Sequence, residues 1–271
     1  LGIKECVQYF GKEIPEIAVF DTAFFSAMPD VASSYAIPQE LSRNYEIKRY
    51  GFHGISYAFI YDAYMRHPET SGPRSKIIAA HLGNGCSMSA IREGKALDTS
   101  MGFTPAEGLV MGTRAGDIDA SVVEFLCDAL GKSPNEVMNI LNFDSGLLGL
   151  SQISSNMKDV FASENVHAKF AIELFCYRAI KYFGAYIAVL KGVDSIIFSG
   201  GIGENSPEVR EKIIDGLDWY GVTLDKKAND QCLMPRLSSV HKISAFESTV
   251  SIFVIATDEN QLIARESMIL V

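Results

Sequence analysis

The sequence lacks the common nucleotide-binding signatures. Its 271 residues contain no G-x-x-x-x-G-K-[ST] loop and no G-x-G-x-x-G turn, which argues against P-loop NTPases and Rossmann dehydrogenases. A serine nucleophile elbow is absent as well. Any nucleotide chemistry in this chain must therefore use another arrangement of residues.

Cysteine, positive charge and long apolar runs are also scarce. The five cysteines include no C-x-x-C pair, and an odd, scattered count favours reduced thiols over a disulfide framework. With 24 Lys and Arg against 33 Asp and Glu, the formal net charge is −9, so attraction to nucleic acid is not expected. No run approaches the roughly 20 apolar residues that span a bilayer. We therefore expect a cytoplasmic protein with neither a nucleic-acid nor a membrane partner.

Glycine, in contrast, is concentrated in three segments that follow apolar runs. They cover residues 81–87, 112–117 and 199–205, and they carry Asn84, Arg114 and Glu204. Glycine lets the backbone turn and approach a bound group, and its exposed N–H groups suit anionic oxygens. Three such turns together are typical of a site for a polyphosphate and its metal.

Hydrophobic periodicity predicts alternating strands and helices, and thus an α/β protein. Nearly half of the residues are hydrophobic, which is ample for a large core. No linker interrupts residues 50–257, which we expect to form one domain. The predicted strands cover 14–20, 76–80, 87–92, 195–199 and 251–256, and the predicted helices cover 54–66, 119–130, 134–142, 166–191, 207–217 and 260–266.

Asn84 and Arg114 are the candidate phosphate ligands, and each has a structural alternative. Asn84 is expected to hold phosphate beside its glycines, or it simply tolerates the left-handed conformation of a tight turn. The guanidinium of Arg114 matches phosphoryl oxygens. Alternatively, it is a surface group paired with Asp117 or Asp119.

Two histidines and two carboxylates complete the candidate set. His53 has glycine-rich neighbours that would leave it accessible, although a structural histidine is equally expected; His81 is expected to pack. Asp21 and Glu259 follow predicted strands. Magnesium bound to a nucleotide uses one or two carboxylates, while an acid at a helix N-terminus is the alternative for each.

Taken together, the motifs resemble those of the acetate kinase (acetokinase) family of short-chain carboxylate kinases. They occur in the family's order along the whole chain. The segments are VFDTAF (19–24), YGFHG (50–54), HLGNG (81–85), DTSMGFTP (98–105), MGTR (111–114), SGLLG (145–149) and GIGEN (201–205). The resemblance implies a two-lobed fold of the sugar kinase, actin and heat-shock ATPase superfamily, in which a ribonuclease H-like mixed sheet is flanked by helices.

The resemblance also implies the reaction and its cofactors. The family transfers the γ-phosphoryl group of Mg-ATP reversibly to a carboxylate, giving acetyl phosphate and ADP by direct in-line transfer. Mg²⁺ is the expected metal, Mn²⁺ a possible substitute, and a homodimer the expected assembly. The 166–191 helix is a candidate contact, or equally part of the core.

Site residues carry over by motif. Arg114 and His53 would stabilise the transferring phosphoryl group, Asp21 and Glu259 would position the metal, and Phe52 and Pro105 would line the acyl pocket. The expected nucleotide- and phosphate-binding residues are His81, Leu82, Gly83, Asn84, Gly85, Asn156, Met157, Lys158, Gly201, Ile202, Gly203, Glu204 and Asn205.

Four departures separate this chain from the family pattern. Phe25 stands where the family commonly has histidine, Ile55-Ser56-Tyr57 replaces Thr-Ser-His, and Cys86 replaces serine. Asn156, Met157 and Lys158 replace Asp-Phe-Arg, a change expected to affect nucleotide recognition.

The family's initial Asn-x-Gly-Ser-Ser-Ser loop is not found in this sequence. We therefore expect the C-terminal portion of a longer protein, with a remnant of the first lobe (1–25), the nucleotide-binding lobe (26–259) and a C-terminal helix returning toward the first lobe (260–271). The isolated chain is expected to bind nucleotide weakly and to turn over little or not at all. Two alternatives stay open: a propionate or butyrate kinase, and a non-catalytic actin-like nucleotide-binding module.

Overall fold

The computed structural model describes residues 2–233 and 239–270. Its centre is a sheet of six strands: β1 (Lys76–Leu82), β2 (Cys86–Arg92), β3 (Lys95–Thr99), β4 (Ser195–Ser199), β5 (Val240–Lys242) and β6 (Ser251–Ile255). The spatial order is β3-β2-β1-β4-β6-β5. β1, β4 and β6 are mutually parallel, whereas β2, β3 and β5 pair antiparallel with their neighbours. This confirms the predicted mixed sheet with a ribonuclease H-like order.

Helices surround the sheet. The described residues form α1 (Gly2–Phe10), α2 (Asp30–Ser33), α3 (Gln39–Asn44), α4 (Gly54–Arg66), α5 (Ala120–Leu130), α6 (Pro134–Phe143), α7 (Gly146–Ser151), α8 (Met157–Phe161), α9 (Val166–Leu190), α10 (Gly200–Asn205), α11 (Pro207–Asp215), α12 (Lys226–Gln231) and α13 (Glu259–Leu270). Short 3-10 turns lie at Ala23–Phe25 and Asp218–Tyr220. Among these residues, no helix is both long enough and apolar enough to cross a membrane.

Side-chain alternation along β1 explains the layering. Ile78 and Leu82 are fully buried in a core shared with α9, whereas Ile77 and Ala79 are fully buried in a second core shared with α4. Successive strand residues point to opposite faces, so a strand that is apolar throughout must be covered on both sides. The sheet therefore lies between α9 and α4. Ten of the 25 residues of α9 are buried, so one side of the helix belongs to the core, and its role as a dimer contact stays a prediction.

Local signals set several element ends as predicted. The helix at 54–66 and the strand at 195–199 have the predicted bounds. Ser133 and Glu136 form a reciprocal capping box at the start of α6, and Gly131 ends α5 in the left-handed conformation, as their positions favour. These ends depend on contacts within a few residues, which is why the sequence predicts them.

Two predictions about the elements are wrong. Residues 14–20 form no strand: Ile14 and Phe20 are exposed, and Pro15 has no N–H to give to a ladder. Residues 199–205, which the sequence suggests as a glycine turn, instead lead from β4 into helix α10 at residues 200–205. The last helix is also longer than predicted, at Glu259–Leu270.

The proposed division of the chain into 1–25, 26–259 and 260–271 stays a prediction. Its outermost residues, Leu1 and Val271, lie outside the described residues. Helix α13 packs against α4, where Arg265 forms an ion pair with Asp62.

Candidate functional site

The three parallel strands end at one edge of the sheet, and the candidate residues follow them there. β1 leads into the Gly83–Asn84–Gly85 turn, β4 into α10, and β6 into Glu259. Ligands of open α/β sheets bind outside these carboxyl ends. The topology therefore gathers segments that are far apart in the sequence.

Asp21 caps helix α4 from outside the helix. Its carboxylate oxygens accept the backbone N–H groups of His53 at 2.7 Å and Ile55 at 3.1 Å. His53, at the N-cap position, has a φ of 61°. The carboxylate satisfies N–H groups that a helix start leaves unpaired. Its negative charge also interacts favourably with the positive end of the helix dipole. Asp21 is therefore fixed at the start of α4, 32 residues away in sequence.

Glu259 contacts the same helix end through Ser56. The Ser56 hydroxyl donates to Glu259 Oε1 at 2.5 Å, and the Thr257 hydroxyl donates to Ser56 at 3.1 Å. The two carboxylates that sequence reasoning paired thus both contact the first turn of α4. Within residues 2–233 and 239–270, no cluster of three or more His, Cys, Asp or Glu side chains could hold a metal ion.

The turn after β1 is packed closely against the second glycine-rich segment. The Gly83 N–H donates to Gly85 O at 3.0 Å, and the Gly112 N–H donates to Asn84 O at 2.9 Å. Asn84 Oδ1 lies 1.9 Å from where a Cβ on Gly112 would stand. Only glycine leaves room for the amide at that position. The side chain of Asn84 is exposed at the mouth of this turn.

Arg114 and His53 face Gly85. A Cβ on Gly85 would lie 3.2 Å from His53 Nε2 and 3.5 Å from Arg114 Nη1. Arg114 is held by Pro105 O, to which Nη1 donates at 3.1 Å. It makes no ion pair within the described part of the chain.

The alternative interpretation of Arg114 as a surface ion-pair partner is therefore wrong. Asp117 instead pairs with Arg178 at 3.4 Å and accepts the hydroxyl of Tyr182 at 2.8 Å. Asp119 caps α5 by accepting the Ser121 N–H. With both nearby carboxylates engaged elsewhere, the guanidinium of Arg114 faces the glycine turn.

His53 is held as a neutral imidazole. Its Nδ1 lies 2.8 Å from Ser87 Oγ, and its ring stacks on His81 with centroids 4.3 Å apart. Burial, together with the charges of His81 and Arg114, lowers the pKa of His53 to about 3 despite the opposing effect of Asp21. Burial lowers the pKa of His81 to about 4. His81 Nδ1 is buried with no hydrogen-bond partner among the described residues, so this residue packs as expected.

A cleft of about 850 Å³ opens beside the glycine turn. Eight of the predicted nucleotide- and phosphate-binding residues line it: Gly83, Asn84, Asn156, Met157, Lys158, Gly201, Ile202 and Asn205. Sequence reasoning missed Ser155, Phe161, Ser206, Glu208 and Leu233. Ser206 and Glu208 directly follow the GIGEN motif at the start of a helix, and this position could have suggested them. Phe161 and Leu233 carry no local signal.

The remaining predicted residues do not line this cleft, and Glu204 shows why. Its Oε1 accepts the Gly200 N–H at 2.9 Å and the Thr257 N–H at 3.2 Å, so the carboxylate ties α10 to the exit of β6. Burial raises its pKa. His81, Leu82, Gly85 and Gly203 likewise lie outside the cleft lining.

Phe52 directly precedes His53 in the sequence, and Pro105 is hydrogen-bonded to Arg114. Phe52 packs at the edge of the α9 core, and Pro105 contacts Arg114 as described. The loop that carries Pro105 is anchored by a 2.6 Å ion pair between Arg49 and Glu107. The predicted acyl-pocket residues are therefore adjacent to the predicted phosphoryl-binding residues.

The fold and the site define an α/β protein with a ribonuclease H-like sheet and a glycine-lined cleft at the ends of its parallel strands. Within this class, the chain belongs to the acetokinase family, whose model matches residues 1–265. The resemblance seen in the motifs is thereby confirmed.

Similar proteins carry the same family name. The chain is 45% identical to the acetate kinase of Solibacter usitatus and 46% identical to that of Pseudothermotoga lettingae, in each case over 98% of the chain. It spans 64% and 65% of the lengths of these relatives.

Solved structures agree. The crystal structure of Porphyromonas gingivalis acetate kinase superposes with a TM-score of 0.92 at 38% identity, covering 99% of this chain and 67% of that one. A propionate kinase from Francisella tularensis gives 0.89 at 40% identity, covering 98% and 67%. These two similarities are nearly equal, so they do not rank the two substrates.

Proposed function

We propose that this chain carries the nucleotide-binding and phosphoryl-transfer site of an acetate kinase, which transfers the γ-phosphoryl group of ATP reversibly to acetate and yields acetyl phosphate and ADP. The observation that supports this most directly is the convergence of His53 and Arg114 on Gly85, beside the cleft that Asn84 lines. A cation and an imidazole that face one open glycine position are suited to binding a phosphoryl group. An actin-like binding module would need neither Arg114 nor the adjoining Pro105.

The transfer is direct and in line. The transition state of phosphoryl transfer is loose and spreads charge over the equatorial oxygens, so catalysis needs alignment and charge stabilisation. Arg114, held by Pro105 O, presents its remaining guanidinium donors to these oxygens, and His53 Nε2 lies on the same side of Gly85. Asn84 holds phosphate oxygens of the nucleotide. No phosphoenzyme is required.

Asp21 and Glu259 are suited to the magnesium ion of Mg-ATP. Each carboxylate has about four lone-pair sites; hydrogen bonds use one on each Asp21 oxygen and one on Glu259 Oε1, so acceptor capacity is left. Mg²⁺ favours such oxygen donors, with waters and phosphates completing its shell, and Mn²⁺ can replace it. The ion supplies charge neutralisation at the nucleotide phosphates. The protein's part is to hold the two carboxylates at the start of α4.

The cleft takes the nucleotide. Its apolar wall includes Phe161, Ile202 and Leu233, and its polar rim includes Lys158 and Asn156. Asn156 also caps α8 by accepting the Lys158 N–H at 3.0 Å. We infer that the wall contacts the base and that the Asn156–Met157–Lys158 segment sets nucleotide preference.

Propionate is the second candidate acceptor, because the Francisella tularensis propionate kinase is about as similar as the acetate kinases. Phe52 and Pro105 contact the acyl tail in either case, and butyrate is the longer alternative. We further propose a cytoplasmic homodimer, to be checked by light scattering of the purified protein.

The test combines binding with turnover. The purified protein is titrated with Mg-ATP by calorimetry and then assayed with acetate, propionate and butyrate, trapping acyl phosphate with hydroxylamine. ATP binding and ATP-dependent hydroxamate formation, greatest with acetate, are expected of a complete site. Binding without product restricts the proposal to the nucleotide half of the site, and absence of both overturns it.

A further inference from the structure

A chain of three side chains runs from helix α4 to the glycine turn. The hydroxyl of Tyr57 lies 2.6 Å from Ser87 Oγ, which lies 2.8 Å from His53 Nδ1. Tyr57 and Ser87 are fully buried. Each of these buried polar atoms therefore has a hydrogen-bonding neighbour within this chain of side chains, and their protons are ordered along it.

The surroundings of Tyr57 leave its hydroxyl directed at Ser87. Phe25 packs edge-on against the Tyr57 ring, with centroids 5.9 Å apart at 81°, and offers no polar group. Tyr57 and Phe25 are two of the departures from the family pattern described above, and here they contact each other. The apolar ring of Phe25 therefore packs against the ring that carries the Tyr57 hydroxyl.

Donor strength sets the direction of the protons. A phenol is a stronger hydrogen-bond donor than an aliphatic hydroxyl, so Tyr57 donates to Ser87 Oγ. Ser87 then uses its single proton to donate to His53 Nδ1. The hydrogen bond at one ring nitrogen decides which nitrogen carries the proton. Because Nδ1 accepts from Ser87, the proton of a neutral His53 is on Nε2. This is the nitrogen that faces Gly85.

We propose that Tyr57 and Ser87 are positioning residues that hold His53 as the Nε2–H tautomer, so that its ring donates a hydrogen bond to an anionic oxygen at the glycine turn. Tyr57 acts through Ser87 and touches no reacting atom. The tautomer of His53 does not depend on the proposed kinase activity. The role of its Nε2–H group as a donor to a phosphoryl oxygen rests on that proposed activity.

The first experiment is long-range ¹H–¹⁵N NMR of the histidine side chains at pH 8, where the ring is neutral. In the wild-type protein, His53 should carry its proton on Nε2, and Nδ1 should resonate as a hydrogen-bonded acceptor. Tyr57→Phe should raise the Nδ1–H population, and Ser87→Ala should move Nδ1 to the position of a free acceptor. The matched control is Tyr64→Phe, since Tyr64 is also fully buried in α4 and bonds Ser195 Oγ at 2.8 Å.

A proton on Nδ1 in the wild-type protein overturns the proposal, and this spectrum needs no variant to fold. An unchanged Nδ1 resonance in both Tyr57→Phe and Ser87→Ala also overturns it. The second experiment titrates inorganic phosphate, which should shift the Nε2 resonance and bind roughly three- to tenfold more weakly to Tyr57→Phe than to Tyr64→Phe. If the tautomer is as stated but phosphate has no effect, the phosphoryl site of the proposed function is wrong and the tautomer stands.

Discussion

His53 and Arg114 face the same side of Gly85, where a Cβ would lie 3.2 Å from the histidine Nε2 and 3.5 Å from the arginine Nη1. The two residues are 61 positions apart in the sequence and reach this point from different elements. Glycine keeps the space between them open for another group.

Gly85→Ala should weaken phosphate and nucleotide binding while the protein stays folded. The contacts of the new methyl group are tight but involve side-chain ends, and the methyl group would occupy the space in which an anion meets both donors. Calorimetric titration with ATP and with phosphate measures the effect. The control is Gly184→Ala, which adds a methyl group in open space on α9 and should stabilise the helix by up to about 1 kcal/mol. Equal affinities in the two variants would place the anion elsewhere.

Arg114→Ala should lower kcat in a catalytically competent preparation by about 10³–10⁵-fold, the usual effect of an arginine that stabilises a transferring phosphoryl group. The affinity for ATP should change little, because the charge is needed mainly in the transition state. Steady-state kinetics and ATP titration separate the two effects. Arg92→Ala, at an exposed arginine next to Glu93, should leave kcat unchanged. A near-normal kcat in Arg114→Ala would remove this residue from the mechanism.

Mild acid should destabilise the fold through His53 and His81. Their folded pKa values, about 3 and about 4, lie below the ordinary value of 6.5, so between these limits the unfolded chain binds more protons. The free energy of unfolding therefore rises with pH in this window and falls on acidification, by up to about 1.4 kcal/mol per pH unit for each histidine.

Urea unfolding at pH 7.5, 6.5 and 5.5 tests this dependence. The slope with pH should be smaller in His81→Gln than in the wild-type protein, whereas His167→Gln, at an exposed position near the start of α9, should keep the wild-type slope. Identical slopes in all three proteins would show that His81 is not held neutral by burial.

Arg210 should prove to be a stabilising element of the cleft wall. This fully buried guanidinium donates to Asn229 Oδ1 at 2.7 Å and to the carbonyls of Gly203, Glu204, Asn229 and Cys232 at 2.8–3.0 Å. Lysine has three donors and cannot reach all five acceptors. Because each unpaired buried group costs about 1–3 kcal/mol, Arg210→Lys should lower the free energy of unfolding by several kcal/mol.

Urea unfolding and hydrogen exchange check this prediction. Exchange should quicken in α10 and α12, which Arg210 joins. Lys226→Ala, which removes an exposed partner of Glu211, is the control and should change stability little. A stable Arg210→Lys protein with wild-type exchange would contradict the assigned role.

Much of the framework was predictable because it depends on short-range rules. The bounds of α4 and β4 follow from periodicity, and the ends of α5 and α6 follow from Gly131 and the Ser133–Glu136 box. The strand predicted at 14–20 failed because an apolar run forms a strand only where another strand can pair with it. Local sequence does not report on that partner.

In the candidate site, too, local sequence predicted some features and tertiary contacts decided others. Asn84 and Lys158, which were predicted to bind phosphate or nucleotide, line the cleft, although the binding itself stays a prediction. Glu204, in an equally clear motif, turns inward to bind the N–H groups of Gly200 and Thr257. Leu233 lines the cleft without any sequence signal. Motifs thus locate a loop, but the direction of each side chain depends on what the rest of the chain places beside it.

By itself the sequence determined the α/β class, the elements with strong periodicity or caps, and which side chains are candidates for binding phosphate. These properties arise from backbone preferences and residue chemistry over a few neighbouring positions. Only the tertiary structure decided that Asp21 and Glu259 share one helix end, that Arg114 is free of Asp117, and that Ser87 links Tyr57 to His53. Such contacts join residues tens to hundreds of positions apart, and they form only when the buried faces of the sheet fix where its strands end.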